Sequence, residues 1–187
     1  MSGRTAGGDG GASRMGRRRI RRIVFDADRI AQRVKAMGGE ITRAYTGPDP
    51  VLVLGLLKGS FIFMADLVRT IERPLQLDFL VAASYGSETV SSGRVDLLYD
   101  PETPIEGRDV LVVEDIVDSG TTLKELLPLL RERNPASLET CALLHKHRVR
   151  LDPEPRWVGF DAPEEFLVGY GLDHSEDFRH LPYIASI

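Results

Sequence analysis

The sequence predicts an α/β domain in which helices flank a parallel-cored sheet that carries a small accessory lobe. Three observations predict it. Val-Leu-Val-Leu-Gly-Leu-Leu at 51–57 and Val-Leu-Val-Val at 110–113 are apolar without alternation, as strands buried on both faces of a parallel sheet are. Each run leads through a small-residue turn into a helix-forming stretch, the order of a β-turn-α unit. The 187 residues, with no internal repeat and no linker between large units, fit one domain long enough to bury a full core.

Residues 1–14 are dominated by Gly, Ser, Ala and Arg, a composition that cannot build a core. The run Arg17-Arg18-Arg19-Ile20-Arg21-Arg22 is the one strongly basic patch, readable as a solvated arm or as a contact for RNA or an acidic partner. A disordered basic arm over 1–22 and a single domain over 23–187 are therefore expected. Asp26 or Asp28 caps a helix with Ile30, Val34 and Met37 on one stripe. Gly38-Gly39 is expected to interrupt it, with helix resuming over 41–45 until Gly47-Pro48 stops it.

The strand at 51–57 ends in Lys58-Gly59-Ser60, and 61–70 continues as an apolar-faced helix. Lys58 thus sits at the carboxyl end of a strand, the edge where ligands collect in open parallel sheets. Residues 75–85 read as a strand. The polar, glycine-bearing stretch 84–93 reads either as a mobile loop with a use or as a plain hairpin tip. Short strands are expected near 95–99.

After the strand at 110–113, good helix formers fill 123–127, with Pro128 near enough to the start to be tolerated while shortening or kinking the helix. Asn134-Pro135 marks a break. Residues 137–144 form the next buried strand, ending at His145-Lys146-His147. Residues 157–160 and 166–170 are short strands, Gly171-Leu172-Asp173 ends the second, and a tail over 178–184 closes the chain.

Composition excludes several classes. A net charge of −4 gives no field suited to general nucleic-acid binding. The one cysteine, Cys141, sits in an apolar run as a core residue rather than a nucleophile, and it cannot form an internal disulfide. No run approaches the roughly 20 apolar residues that span a bilayer, and the N-terminus lacks the apolar core of a secretion signal. A cytoplasmic protein with no membrane association is expected.

Chemistry concentrates between 114 and 122. Glu114 and Asp115 are adjacent carboxylates that suit a vicinal diol, with or without Mg²⁺. Asp118 then leads into Ser119-Gly120-Thr121-Thr122, where Gly120 admits close backbone approach and three hydroxyls can donate. The unpaired N–H groups of the following helix start favour a phosphate. The set asks for a phosphorylated sugar with free hydroxyls. A P-loop is excluded, since its Gly-x4-Gly-Lys pattern has no counterpart here.

Four apolar residues, two acids, two apolar residues and Asp-Ser-Gly-Thr-Thr resemble the phosphoribosyl pyrophosphate (PRPP) signature of the type I phosphoribosyltransferases. Gly-Leu-Leu-Lys-Gly-Ser-Phe at 55–61, Ser-Tyr-Gly at 84–86, Leu-Leu-His-Lys at 143–146, Phe-Leu-Val-Gly-Tyr-Gly-Leu-Asp at 166–173 and Phe-Arg-His-Leu-Pro-Tyr at 178–183 are similar to the 6-oxopurine branch of that family. The resemblance implies the type I fold with a hood formed mainly by the C-terminal segment. It also implies a Mg²⁺-dependent pentosyl transfer from PRPP to N9 of hypoxanthine or guanine, giving IMP or GMP.

Under it Glu114 and Asp115 would hold the ribose hydroxyls, and residues 118–122 would cradle the 5′-phosphate. Asp118 would be the acid/base at purine N7. Lys58, Gly59 and Arg179 would meet the pyrophosphate, and the Leu57-Lys58 peptide can be cis. Asp173, with Glu114 and Asp115, would serve the metal. Lys146 would donate to the 6-oxo group, Phe166 would stack on the purine, and the backbones of Leu167 and Asp173 would read its edge. Ser84 and Tyr85 would belong to a mobile loop closing over the site. His145 and His147 flank Lys146 where members vary. The family usually forms dimers or tetramers, so a homo-oligomer is implied. A xanthine-preferring or broad 6-oxopurine enzyme, or an RNA-binding regulator of the same fold, are the alternatives.

Overall fold

The computed structural model describes residues 19–83, 96–148 and 150–187. Most of the expected arm, and the loop with Ser84 and Tyr85, lie outside the described residues. The chain runs β1 (Arg22–Phe25), α1 (Ala27–Ala44), β2 (Val51–Leu57), α2 (Phe61–Val68), β3 (Leu75–Ala83), β4 (Asp96–Tyr99), β5 (Asp109–Val117), α3 (Thr121–Arg131), β6 (Ser137–His145), β7 (Trp157–Asp161), β8 (Leu167–Val168) and β9 (Ile184–Ser186). Six strands form one sheet in the order β4-β3-β2-β5-β6-β7. Its core pairs are parallel, and β4 joins antiparallel at the edge.

Alternate residues of β2 and β5 feed two separate cores. Val51, Val53, Leu111 and Val113 pack with the buried stripes of α1 and α2. Leu52, Leu54, Val110 and Val112 pack with Leu123, Leu126, Leu127 and Leu130 of α3. Burying each such side chain contributes about 1.5–3 kcal/mol, which is why these strands carry no polar alternation.

Asp26 is the cap of α1, its side chain accepting from the Arg29 N–H at 2.8 Å. The expected break at Gly38-Gly39 is absent, and α1 runs through both glycines. The reason is packing: a Cβ at Gly38 would overlap Thr70, just past the end of α2. The glycine permits close helix contact, and the buried stripe, extended by Ile41, outweighs its helix-interior cost of about 1 kcal/mol. Pro128 does not end α3 early either, since the helix continues to Arg131.

A second, three-stranded sheet has the order β1-β9-β8. Arg22, expected in the arm, opens β1, and β1 pairs antiparallel with β9. This small sheet therefore joins the chain's first described strand to its last. Residues 166–170 yield only the two-residue β8, because Gly169, Tyr170 and Gly171 all have positive φ.

Candidate active site

Three adjacent parallel strands deliver most of the candidate residues to one edge. β5 lies between β2 and β6, so their carboxyl ends bring together Lys58-Gly59, the 114–122 segment and Lys146. The Leu57-Lys58 peptide is cis. A Cβ at Gly59 would overlap the Asp115 carboxylate, so only glycine lets this turn lie against β5.

Beyond β5, Gly120 adopts φ 70° and opens α3. Ser119 Oγ and Thr121 Oγ1 lie 3.0 Å apart. Glu114, Asp118, Ser119, Gly120 and Thr122 line a groove of about 90 Å³ at this turn. Helix-start N–H groups and hydroxyls beside a small polar groove are suited to a phosphate.

Glu114 and Asp115 are buried side by side. Burial pushes Glu114 well above the ordinary carboxylate range, and the neighbouring Asp115 charge adds to this. Burial raises Asp115 as well, opposed by the Ile116 N–H, which donates to Asp115 Oδ1 at 2.9 Å. The folded pair thus retains a proton that the unfolded chain releases. Its stabilising share is complete below the unfolded carboxylate pKa and is lost as pH rises through the raised folded values. Glu114→Gln is expected to melt roughly 3–6 °C above the parent at pH 8 without Mg²⁺ or ligand, corresponding to about 1–2 kcal/mol. The difference should shrink towards pH 4.5. Thermal melts across that range check it, and a pH-independent difference would be incompatible with a titrating pair.

Asp118 is held from two sides. Lys146 Nζ donates to its Oδ2 at 3.0 Å, and Arg148 reaches its Oδ1 at 2.9 Å. Lys146 is 8% exposed, and its backbone N–H donates to the Val117 carbonyl at 3.0 Å. Arg148 is held in turn by the Glu164 side chain and carbonyl. His147 Nε2 pairs with Asp161 at 2.7 Å, and the His145 ring is buried against it at 3.9 Å. Burial and His147 hold the His145 imidazole below its usual pKa. The flanking histidines thus pack with each other and with β7.

Beside the Lys58-Gly59 turn, where a Cβ at Gly171 would overlap the Gly59 carbonyl, Arg179 donates to the Gly171 carbonyl at 2.7 Å and pairs with Asp173 Oδ1 at 2.8 Å. Asp173 Oδ2 accepts the Glu176 N–H at 2.9 Å. Glu176 also meets Lys58 Nζ at 3.1 Å, and that cation holds its carboxyl below the usual range. Phe166 is 49% exposed and its ring meets the edge of His174 at 5.3 Å, so it is not a core residue. Leu167 is buried in β8. Cys141 is buried in β6, and burial pushes its thiol up, as a core cysteine requires.

Glu114 Oε2 is buried without a hydrogen-bond partner among the described residues, while Asp115 and Asp173 offer further hard oxygens. Among those residues no three His, Cys, Asp or Glu side chains gather as a metal cage. The donor set fits a Mg²⁺ ion that takes most of its shell from substrate oxygens and water. Arg148, Glu164 and Glu176 surround the candidate residues and carry no sequence signal. Their contacts join loops far apart in the chain.

This fold and this edge define a class. Residues 22–175 match the family model of the phosphoribosyl transferase domain, and the chain belongs to that family. More particularly, it is 46% identical to a hypoxanthine-guanine phosphoribosyltransferase of Dictyostelium discoideum, over 89% of this chain and 95% of that one. It is 44% identical to the Bacillus subtilis protein of the same name, over 89% and 92%. A crystal structure of a hypoxanthine-guanine phosphoribosyltransferase from Bacillus anthracis superposes with a TM-score of 0.85 at 41% identity, covering 90% of this chain and 99% of that one.

Proposed function

We propose that the protein transfers the phosphoribosyl group of PRPP to N9 of hypoxanthine or guanine, forming IMP or GMP and pyrophosphate in purine salvage. The observation that carries this reading is the 3.0 Å contact between Asp118, at the sugar-phosphate turn, and Lys146, at the adjacent strand end. It sets a proton acceptor and a donor suited to a 6-oxo group side by side.

The 118–122 turn takes the 5′-phosphate, and Glu114 and Asp115 accept from the ribose hydroxyls. Asp173, Glu114 and Asp115 would hold a Mg²⁺ ion, which would supply charge neutralisation of the diphosphate. Lys58, the Gly59 backbone and Arg179 surround the leaving group, with Arg179 offering a fork of donors. Phe166 stacks on the purine, Lys146 donates to O6, and the backbones of Leu167 and Asp173 read the far edge. The N9–C1 bond forms as the C1–O bond breaks. Pyrophosphate departs with that electron pair, and Asp118 accepts the purine proton at N7. With an oxocarbenium-like transition state, catalysis consists of alignment and anion stabilisation. Ser84 and Tyr85 belong to a loop that closes to exclude water.

Among the described residues no helix is long and apolar enough to cross a membrane, and a reducing cytoplasm suits the single buried thiol. Steady-state nucleotide formation from PRPP and Mg²⁺ tests the reading, with hypoxanthine, guanine, xanthine and adenine offered separately. Turnover with the first two and not with adenine is expected. Dominant turnover with xanthine would relocate the specificity. No turnover with any base would overturn the reading in favour of a regulator.

A further inference from the structure

Lys58 and Arg179 lie on different segments, and one side chain joins them. Glu176 Oε1 meets Lys58 Nζ at 3.1 Å, and Oε2 lies 3.7 Å from Arg179 Nη2. The backbone presents this carboxylate in an unusual way. Ser175 and Glu176 have φ 54° and 63°, the left-handed region that non-glycine residues rarely occupy. Asp173 holds the turn by accepting the Glu176 N–H at 2.9 Å. Arg179 Nε is also buried without a hydrogen-bond partner among the described residues, so the guanidinium retains a donor for a further acceptor.

We infer that Glu176 is the internal counter-ion of the pyrophosphate subsite: it occupies the Lys58–Arg179 pair in the free protein and competes with the diphosphate of substrate and product for it. This rests on the proposed reaction and adds a residue to it. Incoming PRPP breaks the Lys58–Glu176 pair, and after transfer Glu176 recaptures Lys58 as pyrophosphate leaves. The carboxylate thus weakens ground-state binding of the diphosphate and assists its release. Lys58 and Glu176 side chains are 67% and 66% exposed, so the competition is modest. Exposed pairs are typically worth a twofold to fivefold change in an equilibrium.

Glu176→Gln keeps the shape and the backbone contact to Asp173 while removing the charge. Its inhibition constant for inorganic pyrophosphate against PRPP is expected to fall about twofold to fivefold. KM for hypoxanthine should be unchanged, and the difference should shrink as sodium chloride is raised. A disturbance of the turn alone would weaken pyrophosphate binding, so the direction of the change is the discriminating readout. Unchanged or weaker pyrophosphate binding in the variant would overturn the inference. Titration calorimetry of Mg²⁺-pyrophosphate into parent and variant reads the same quantity without turnover. Failure of the purine assay therefore does not decide it.

Discussion

Replacing Asp118 by asparagine is expected to lower kcat for nucleotide formation by about 10²- to 10⁴-fold, the usual contribution of a positioned acid or base. PRPP affinity should stay within about threefold, because the hydroxyls and helix-start N–H groups of the 119–122 turn are untouched. The substitution is close to isosteric, and an amide oxygen can still accept from Lys146 Nζ, which lies 3.0 Å from Asp118 Oδ2. What it removes is the carboxylate proposed to take the purine proton. It also places an NH₂ group towards either Lys146 or Arg148, both of them donors that now bracket the carboxylate. The Asp118 side chain is 43% exposed, so the lost charge is partly replaced by water and the variant should remain folded. Steady-state kinetics with a calorimetric PRPP titration checks both halves. A kcat within threefold of the parent would remove Asp118 from the acid/base role.

The parts of this molecule legible in the sequence are those fixed by local pattern. The strands around 51–57, 110–113 and 137–144 announce themselves because burial on both faces demands unbroken apolar runs. The 114–122 turn does so because few chemistries require adjacent acids followed by Asp-Ser-Gly-Thr-Thr. Elements set by long-range pairing stay hidden. β1 has four residues and β9 three, too short for a periodic signal, and each exists because the other supplies hydrogen bonds. Gly38 reads as a helix breaker in isolation and becomes a packing device only when Thr70 is seen against it.

The same division holds within the site. Lys58, Asp118, Lys146, Asp173 and Arg179 stand in recognisable surroundings, whereas their partners Arg148, Glu164 and Glu176 are ordinary loop charges until the chain folds. Together they give the candidate site a consistent electrostatic plan. Each cation proposed to meet a substrate is already paired with a carboxylate of the protein: Lys58 with Glu176, Arg179 with Asp173 and Lys146 with Asp118. Under the proposed roles, substrate binding would exchange counter-ions, and its net free energy would be smaller than the number of charged contacts suggests.

Lys146→Met is the second variant with a large expected effect, and it isolates the reading of the purine 6-position. Methionine keeps a similar length and apolar stem but removes the ammonium donor. The catalytic efficiency for hypoxanthine is expected to fall by about 10²-fold, the cost of losing a charge-assisted hydrogen bond to a desolvated oxygen. Adenine presents a 6-amino donor against the same ammonium in the parent, a repulsive contact that the variant lacks. The hypoxanthine-to-adenine ratio of kcat/KM should therefore fall by about 10²-fold or more, even though absolute rates with adenine stay low. Lys146 is only 8% exposed, so removing its charge relieves a desolvation cost. Asp118 keeps Arg148 at 2.9 Å as its remaining cation. These effects offset, and the melting temperature should move by only a few degrees, about 1 kcal/mol. Measuring kcat/KM for both bases on parent and variant decides the assignment. An unchanged ratio would mean that the 6-oxo group is read elsewhere and that Lys146 serves mainly to hold Asp118 in place.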